Sequence, residues 1–402
     1  MLNSLEDAQQ ELIKNIEPLA AEPVSLLEAV GRISSTEILA DCNMPGELRS
    51  AVDGYAVNPD LSGNYDQLLV IGQLKMGEVP NSPLVPGQAI GVLTGGLLPD
   101  GAVAVIPHEK VQIKDNYLKS LEFVKPGNNF KQPGEDFHKG DLILGQATRI
   151  TPGLVALLAT FGHGQIQVYH RPRVSILSLG SNVVPCSSQA ARGEIRDANG
   201  PMLASLVKLD GGLISSVELA GQKDMTQIKT QLLQMLEQSE LVITTGGTYT
   251  DGINEIHVLI DEIGARPLFR EIPIQPGSHN GGAVLGSRLI ISLSGNPAAC
   301  AVGYHLFAAP ALRALQGIEP LLPRVNAICS SRYTKKTASR RFVRALATPR
   351  EDGWAVSILP GQKPSMIRSL VDCNALIDLP PGHPPMEAGL EVSILLLDRS
   401  AV

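Results

Sequence analysis

Leu241-Val-Ile-Thr-Thr-Gly-Gly-Thr-Tyr-Thr-Asp-Gly-Ile-Asn254 decides how this chain folds, and Leu289-Ile-Ile-Ser-Leu-Ser-Gly-Asn-Pro297 repeats its plan. In each, an apolar run of strand length meets a turn of small residues, and a helix start follows. Continuous apolar runs predict parallel strands buried on both faces. In an open α/β sheet such turns lie at the carboxyl ends of the strands. Helix N-termini there present free backbone N–H groups that suit anions. An anionic, phosphorylated small molecule is therefore expected near Gly246, Gly247, Gly295 and Asn296. Thr244, Thr245, Thr248 and Thr250 would add hydroxyls, and Asp251 a carboxylate. A tight, capped strand–helix turn is the plainer role for the same residues. Neither stretch reads GxGxxG or GxxxxGK[ST], which excludes a dinucleotide fingerprint and a P-loop.

Outward from these turns, residues 171–317 alternate strand and helix. Strands are expected at 174–179, 213–219, 241–245, 266–269 and 289–293. Helices are expected to start at Asn199 and Asp224, to run through Ile256 and Leu259, and to follow Pro297. The alternation predicts a doubly wound parallel sheet. Upstream, Ser4 with Asp7 and Ser25 with Glu28 fit capping boxes, so two helices open the chain. Residues 151–162 predict another helix, with Pro152 in its first turn and Gly162 at its stop. Between them, short β runs alternate with Gly, Pro, Asn and Asp, and β texture returns after Pro320. The expected fold is thus α/β and β multidomain. It comprises a discontinuous helical linker region (1–40 plus 141–170) and a β-rich insertion domain (41–140). A doubly wound α/β domain (171–320) and a C-terminal β-barrel-like domain (321–402) follow.

Composition narrows the function. The 402 residues are 44% hydrophobic, enough for a substantial core. Net charge is −7 with no basic tail, and aromatic residues make up 4%, so no nucleic-acid partner is expected. No apolar run reaches about 20 residues, and the start MLNSLEDAQQ is acidic, so neither a membrane span nor a signal peptide is expected. The five cysteines are scattered without a CxxC, which suits reduced thiols in the cytoplasm. The histidines form no HExxH, and no GxSxG occurs, which leaves zinc and serine-hydrolase chemistry without support. Cys300 sits in apolar periodicity and reads as a core thiol.

Several polar groups are candidate ligands. Asp53, in Ser50-Ala-Val-Asp-Gly-Tyr-Ala-Val, is either a turn residue or a metal or substrate ligand facing a cleft. Thr94-Gly-Gly closes a strand in the same region. Glu135, Asp136, His138 and Asp141 crowd one loop, where carboxylates suit Mg²⁺ or simply face water. Asp197 could accept from a ligand hydroxyl, and Asn199 reads as an N-cap.

At these residues the chain resembles the molybdopterin molybdenumtransferase family, which includes the gephyrin E-domain. The matching stretches span nearly the whole length. They include Ser50–Val57, Leu93-Thr-Gly-Gly-Leu-Leu-Pro-Asp-Gly-Ala-Val-Ala-Val, Pro133-Gly-Glu-Asp with Lys139-Gly-Asp, and Arg171-Pro-Arg-Val. Further on come Gly193-Glu-Ile-Arg-Asp-Ala-Asn, Thr245-Gly-Gly, Gly295-Asn-Pro and Ser369-Leu-Val-Asp-Cys-Asn-Ala-Leu-Ile. The resemblance implies a cytoplasmic homodimer that inserts molybdate into adenylylated molybdopterin and releases AMP, with Mg²⁺ assisting. A molybdopterin adenylyltransferase is a further implied partner. Carried over by position, Asp53, Asp136, Asp251 and Arg344 are catalytic, and the three aspartates are metal ligands. Thr94, Asp197, Thr245, Gly246, Gly247, Thr250, Gly295 and Asn296 would hold the pterin and its phosphates.

The chain departs from the family at charged positions. Thr-Gly-Asp-Glu becomes Leu179-Gly-Ser-Asn, with Ser181 and Asn182 in place of two acids, and an expected acid is Asn254. Lys-Pro-Gly-Lys becomes Gln275-Pro-Gly-Ser278, and a Gly-Ser pair becomes Lys363-Pro364. Each lost charge-assisted hydrogen bond to an anion costs about 1.5–3 kcal/mol. Arg270, Arg196 and His279 are the expected candidates for replacing the lysine charge. The alternative reading is a degenerate paralogue, a carrier or scaffold that binds a molybdopterin-type ligand without inserting metal.

Overall fold

The structure, a computed structural model, describes residues 4–247, 255–336 and 338–397. The chain divides into two compact units. One takes the segments up to Thr36, from Gln146 to Val155 and from Gln165 onward; the other takes Glu37–Gly145 and Ala156–Gly164.

The first unit is built on a six-stranded sheet. Its strands are β1 (Arg173–Ser178), β2 (Leu213–Leu219), β3 (Leu241–Thr245), β4 (Arg266–Arg270), β5 (Gly281–Leu285) and β6 (Arg288–Leu293), in the order β2-β1-β3-β6-β5-β4. Four strands, β2, β1, β3 and β6, are parallel. The other edge corrects the expected all-parallel sheet, since β5 runs antiparallel to β6 and β4 antiparallel to β5. Alternate residues of each central strand face opposite cores. Val174, Ile176, Leu241 and Ile243 pack with Leu203 and Val207 of helix α1 (Asn199–Leu209). Leu177 and Val242 pack with Ile228 and Leu232 of α2 (Met225–Gln238) and with Ile256 and Leu259 of α3 (Glu255–Glu262). Asp224 and Gln227 complete the capping box of α2.

A helical run over Pro297–Leu315, α4, is 19 residues long and apolar enough in composition to cross a membrane. It is 89% buried inside the protein, as a core helix is. Its length departs from the expectation that apolar runs fall far short of about 20 residues.

The N-terminal region is less helical than expected. A helix does form over Leu5–Ile13, and Ser4 Oγ accepts from the Asp7 N–H at 3.0 Å. The second capping signal yields only one turn, Leu26–Ala29, with Ser25 Oγ donating to Glu28. Ala21–Ser25 pairs antiparallel with Gln165–Tyr169 as two strands.

The C-terminal strands β7 (Arg324–Cys329), β8 (Arg340–Arg350), β9 (Gly353–Ile358), β10 (Ala375–Leu379) and β11 (Glu391–Leu396) close on themselves. Their order β8-β9-β7-β11-β10 returns from β10 to β8, a five-stranded barrel. Val343, Ala345 and Ile377 fill its interior. Phe342 and Leu376, pointing outward, join the core of the α/β sheet.

The second unit holds another six-stranded sheet. In order its strands are Ala104–Pro107, Gly54–Asn58, Gln88–Val92, Leu68–Gln73, Tyr117–Ser120 and Val111–Lys114. Adjacent Ala56 and Val57 face different apolar clusters, so this sheet is covered on both sides.

Candidate functional site

The two glycine corners meet. Gly246 has φ +87° and Gly247 φ +63°, a region that L side chains avoid. A Cβ on Gly246 would stand 2.4 Å from the Leu179 carbonyl oxygen, and one on Gly295 would stand 3.2 Å from the Gly246 Cα. At Gly246 only a residue without a side chain allows so close an approach, whereas the contact at Gly295 is merely tight.

Asn199 ties the corners together. Its Nδ2 donates to Thr245 Oγ1 at 2.9 Å and to the Gly295 carbonyl at 2.8 Å. The Thr245 hydroxyl in turn donates to the Ser294 carbonyl at 3.1 Å. This overturns the reading of Asn199 as a cap, because its amide nitrogen braces the two turns, while Thr245 and Asn199 both line the cavity described below. Asp197 is the true capping group. Its Oδ1 accepts from the Gly200 N–H at 2.9 Å and its Oδ2 from Ser178 Oγ at 3.0 Å. A carboxylate so placed orders the entry to α1, and Asp197 also lines the cavity at the two corners.

A cavity of about 80 Å³ opens at this junction, lined by Arg196, Asn199, Gly246 and Gly295 among others. Asn199 Oδ1 is buried with no partner and is a spare acceptor at its wall. Arg196 holds the Ser188 carbonyl through Nε, and its two terminal nitrogens have no acceptor among the described residues. The start of α4 is less open to anions than expected. Pro297 has no N–H, and the Ala298 N–H goes to the Pro364 carbonyl at 3.0 Å.

A second cleft of about 380 Å³ lies on the other side of the same turn. Ser294 and Asn296 line this cleft, whereas Gly295 and Pro297 line the first. Gln275, Ser278, His279, Arg341 and Gln362 complete its polar wall.

Arg344 does not face this cleft. Its side chain is 1% exposed and bonds to Ser369 Oγ at 2.7 Å and to the Gly361 and Lys363 carbonyls. Burial lowers its pKa. Arg344 thus clasps the 361–369 loop, and its Nη1 is buried without a partner. Cys300 is a core thiol, as its apolar periodicity predicts. It is fully buried, and burial pushes its pKa up to about 12.

In the second unit, Asp53 Oδ1 accepts from the Thr94 N–H at 2.7 Å and the Thr94 hydroxyl at 2.8 Å. These bonds, with smaller help from His108, lower its pKa and keep it ionised. Gly54 allows two strands to approach closely. A Cβ there would lie 2.1 Å from the Ile106 carbonyl oxygen of the neighbouring strand. In the acidic loop, Glu135 accepts from the Gln132 N–H and Asp141 from the His138 N–H. Asp136 is exposed, and its carboxylate has no partner among the described residues.

Thr250 and Asp251, like Thr248 and Asn254, lie outside the described residues. Among the described residues no three His, Cys, Asp or Glu side chains gather to hold a metal ion. Asp251, one of the three expected metal ligands, lies outside those residues.

Comparison with known proteins places this geometry in a family. Residues 3–162 match the model of the MoeA N-terminal region (domain I and II). Residues 175–314 match the probable molybdopterin binding domain, and 326–397 the MoeA C-terminal region (domain IV). The molybdopterin molybdenumtransferase of Bacillus subtilis (strain 168) is 31% identical over 387 residues, covering 94% of this chain and 90% of that protein. That of Staphylococcus aureus (strain COL) is 28% identical, covering 99% and 96%. The crystal structure of a molybdopterin biosynthesis MoeA protein from Pyrococcus horikoshii superposes with a TM-score of 0.84 at 25% identity, over 99% of this chain and 100% of that one. This chain belongs to the molybdopterin molybdenumtransferase family, whose members are transferases of molybdenum cofactor biosynthesis.

Proposed function

We propose that this chain inserts molybdate into adenylylated molybdopterin and releases AMP. One observation carries the reading: residues 294–297 form a single turn that contributes alternate residues to two cavities. A two-part substrate needs two adjoining compartments. The Gly246–Gly295 corner admits a phosphate group against bare backbone, with the Arg196 guanidinium as its counter-charge and Asn199 Oδ1 as an acceptor for a ligand N–H. The larger cleft across the turn takes the molybdenum oxyanion, and the partition keeps the two anions close without merging their sites.

In this reading Asp53, Asp136 and Asp251 keep the catalytic roles that the family resemblance implies. The protein acts in the cytoplasm as a homodimer, supplied with substrate by an adenylyltransferase. Asp53, Asp136 and Asp251 are the residues that would hold Mg²⁺, which would offset the charge of the phosphates.

The test is AMP release from adenylylated molybdopterin, followed by chromatography with and without molybdate. Molybdate-dependent release that disappears in Asp53→Ala, with pterin affinity retained, is expected. Tight pterin binding with no release at any molybdate concentration would make the protein a carrier or scaffold.

A further inference from the structure

An oxyanion in the larger cleft needs a cation, and the loop beside it supplies none: Gln275 and Ser278 are neutral. We infer that Arg341, on barrel strand β8, is the charge that binds the oxyanion in this chain. This rests on reading the cleft as the molybdate side of the site.

Lys363, between the cleft-lining Gln362 and Pro364, is exposed and does not itself line the cleft. The other cations named as candidates are engaged elsewhere. Arg270 is ion-paired with Asp261. Arg196 lines the other cavity, and the Arg344 side chain is buried behind its loop. Arg340 is held by Asp378 and Glu6. His279 lines the cleft, but its Nδ1 stands 3.6 Å from the Glu271 carboxylate, which matches any charge it carries. Arg341 lines the cleft with no carboxylate in pairing range among the described residues. Its Nη2 donates to Gln275 Oε1, and its Nε is buried without an acceptor.

The pairing with Gln275 explains why the loop residue is neutral. Ile274 and Gln275 pair parallel with Arg340 and Arg341, which places positions 275 and 341 side by side. A lysine at 275 would repel the guanidinium, whereas the glutamine carbonyl accepts from it and aims it. One planar guanidinium can give two parallel hydrogen bonds to a tetrahedral oxyanion. The cation thus stands on the barrel, beside a neutral loop.

Molybdate titration of the full chain by calorimetry tests this. Arg341→Gln should weaken binding about 10- to 100-fold. Arg341→Lys should fall between, and the melting temperature and molybdopterin affinity should hold. Gln275→Glu, which keeps the arginine but neutralises it, should weaken molybdate by a similar factor. Adding Gln275→Lys and Ser278→Lys to Arg341→Gln should restore affinity to within about 10-fold of the starting protein. Unchanged affinity in both Arg341→Gln and Gln275→Glu would overturn the inference while leaving the proposed reaction standing. No molybdate binding by the unaltered protein, with AMP release indifferent to molybdate, would overturn both.

Discussion

Gly295 and Gly246 touch: a Cβ on the first would come within 3.2 Å of the Cα of the second. Two turns 49 positions apart in sequence (295 − 246) thus form one corner, and the Asn199 amide fixes their spacing from inside.

The two glycines differ in what they tolerate. Gly246→Ala meets both a left-handed backbone and the Leu179 carbonyl at 2.4 Å. It should cost about 2 kcal/mol or more of stability. Gly295→Ala asks its neighbour to yield only a few tenths of an ångström, so it should cost under about 1 kcal/mol. Both should weaken molybdopterin binding. Urea unfolding and pterin fluorescence titration separate the two effects.

Asn199→Ala removes both bonds of the brace and leaves the Gly295 carbonyl without that donor. A loss of about 1–3 kcal/mol is expected, together with weaker pterin binding. Asn199→Asp should do no better, because a carboxylate cannot donate to either partner. If Asn199→Asp binds pterin as the unaltered protein does, the brace is not what sets the corner.

The corner was legible because its signal is local. An all-apolar run ending in Gly-Gly or Gly-Asn-Pro can hardly be anything but a strand entering a turn. The strand at Gly281–Leu285 was missed although Leu285-Gly286-Ser287-Arg288 between apolar runs is a fair hairpin signal. The roles of Asp197 and Asn199 were exchanged for a different reason. Either residue type caps a helix, and which one does depends on where the other strands put Ser178, Thr245 and Gly295. Arg341 and Arg344 could not be told apart either. Their exposure is set by barrel closure, through a pairing of β8 with β10 that no local pattern announces.

Acid should unlock the barrel. Burial pushes the Asp378 pKa up, but hydrogen bonds from Arg340 and Arg324 outweigh it, and the net shift is downward. The unfolded carboxyl titrates near about 3.9. A depressed folded value means that this stabilisation is complete well above that pH and is lost as pH falls through the folded pKa. Asp378→Asn should therefore cost about 3–5 kcal/mol at neutral pH, and its melting temperature should converge with that of the unaltered protein below about pH 4.

Thiol labelling checks the packing of α4. Cys42 and Cys186 are exposed, whereas Cys300 and Cys329 are buried. Native protein should react with a maleimide at the exposed pair, Cys42 the slower because its hydrogen bond to Asp41 raises its pKa. Cys300 should label only after unfolding. Rapid native labelling of Cys300 would mean that the helix is not seated as described.

The central claim, one turn dividing a phosphate pocket from an oxyanion cleft, is tested most directly by a crystal structure with adenylylated molybdopterin and tungstate bound together. The account predicts a phosphate against Gly246 and Gly295 and an anomalous peak for tungsten across residues 294–297, within hydrogen-bond reach of Arg341. A tungsten peak in the phosphate pocket, or a pterin phosphate that touches neither glycine, would contradict it.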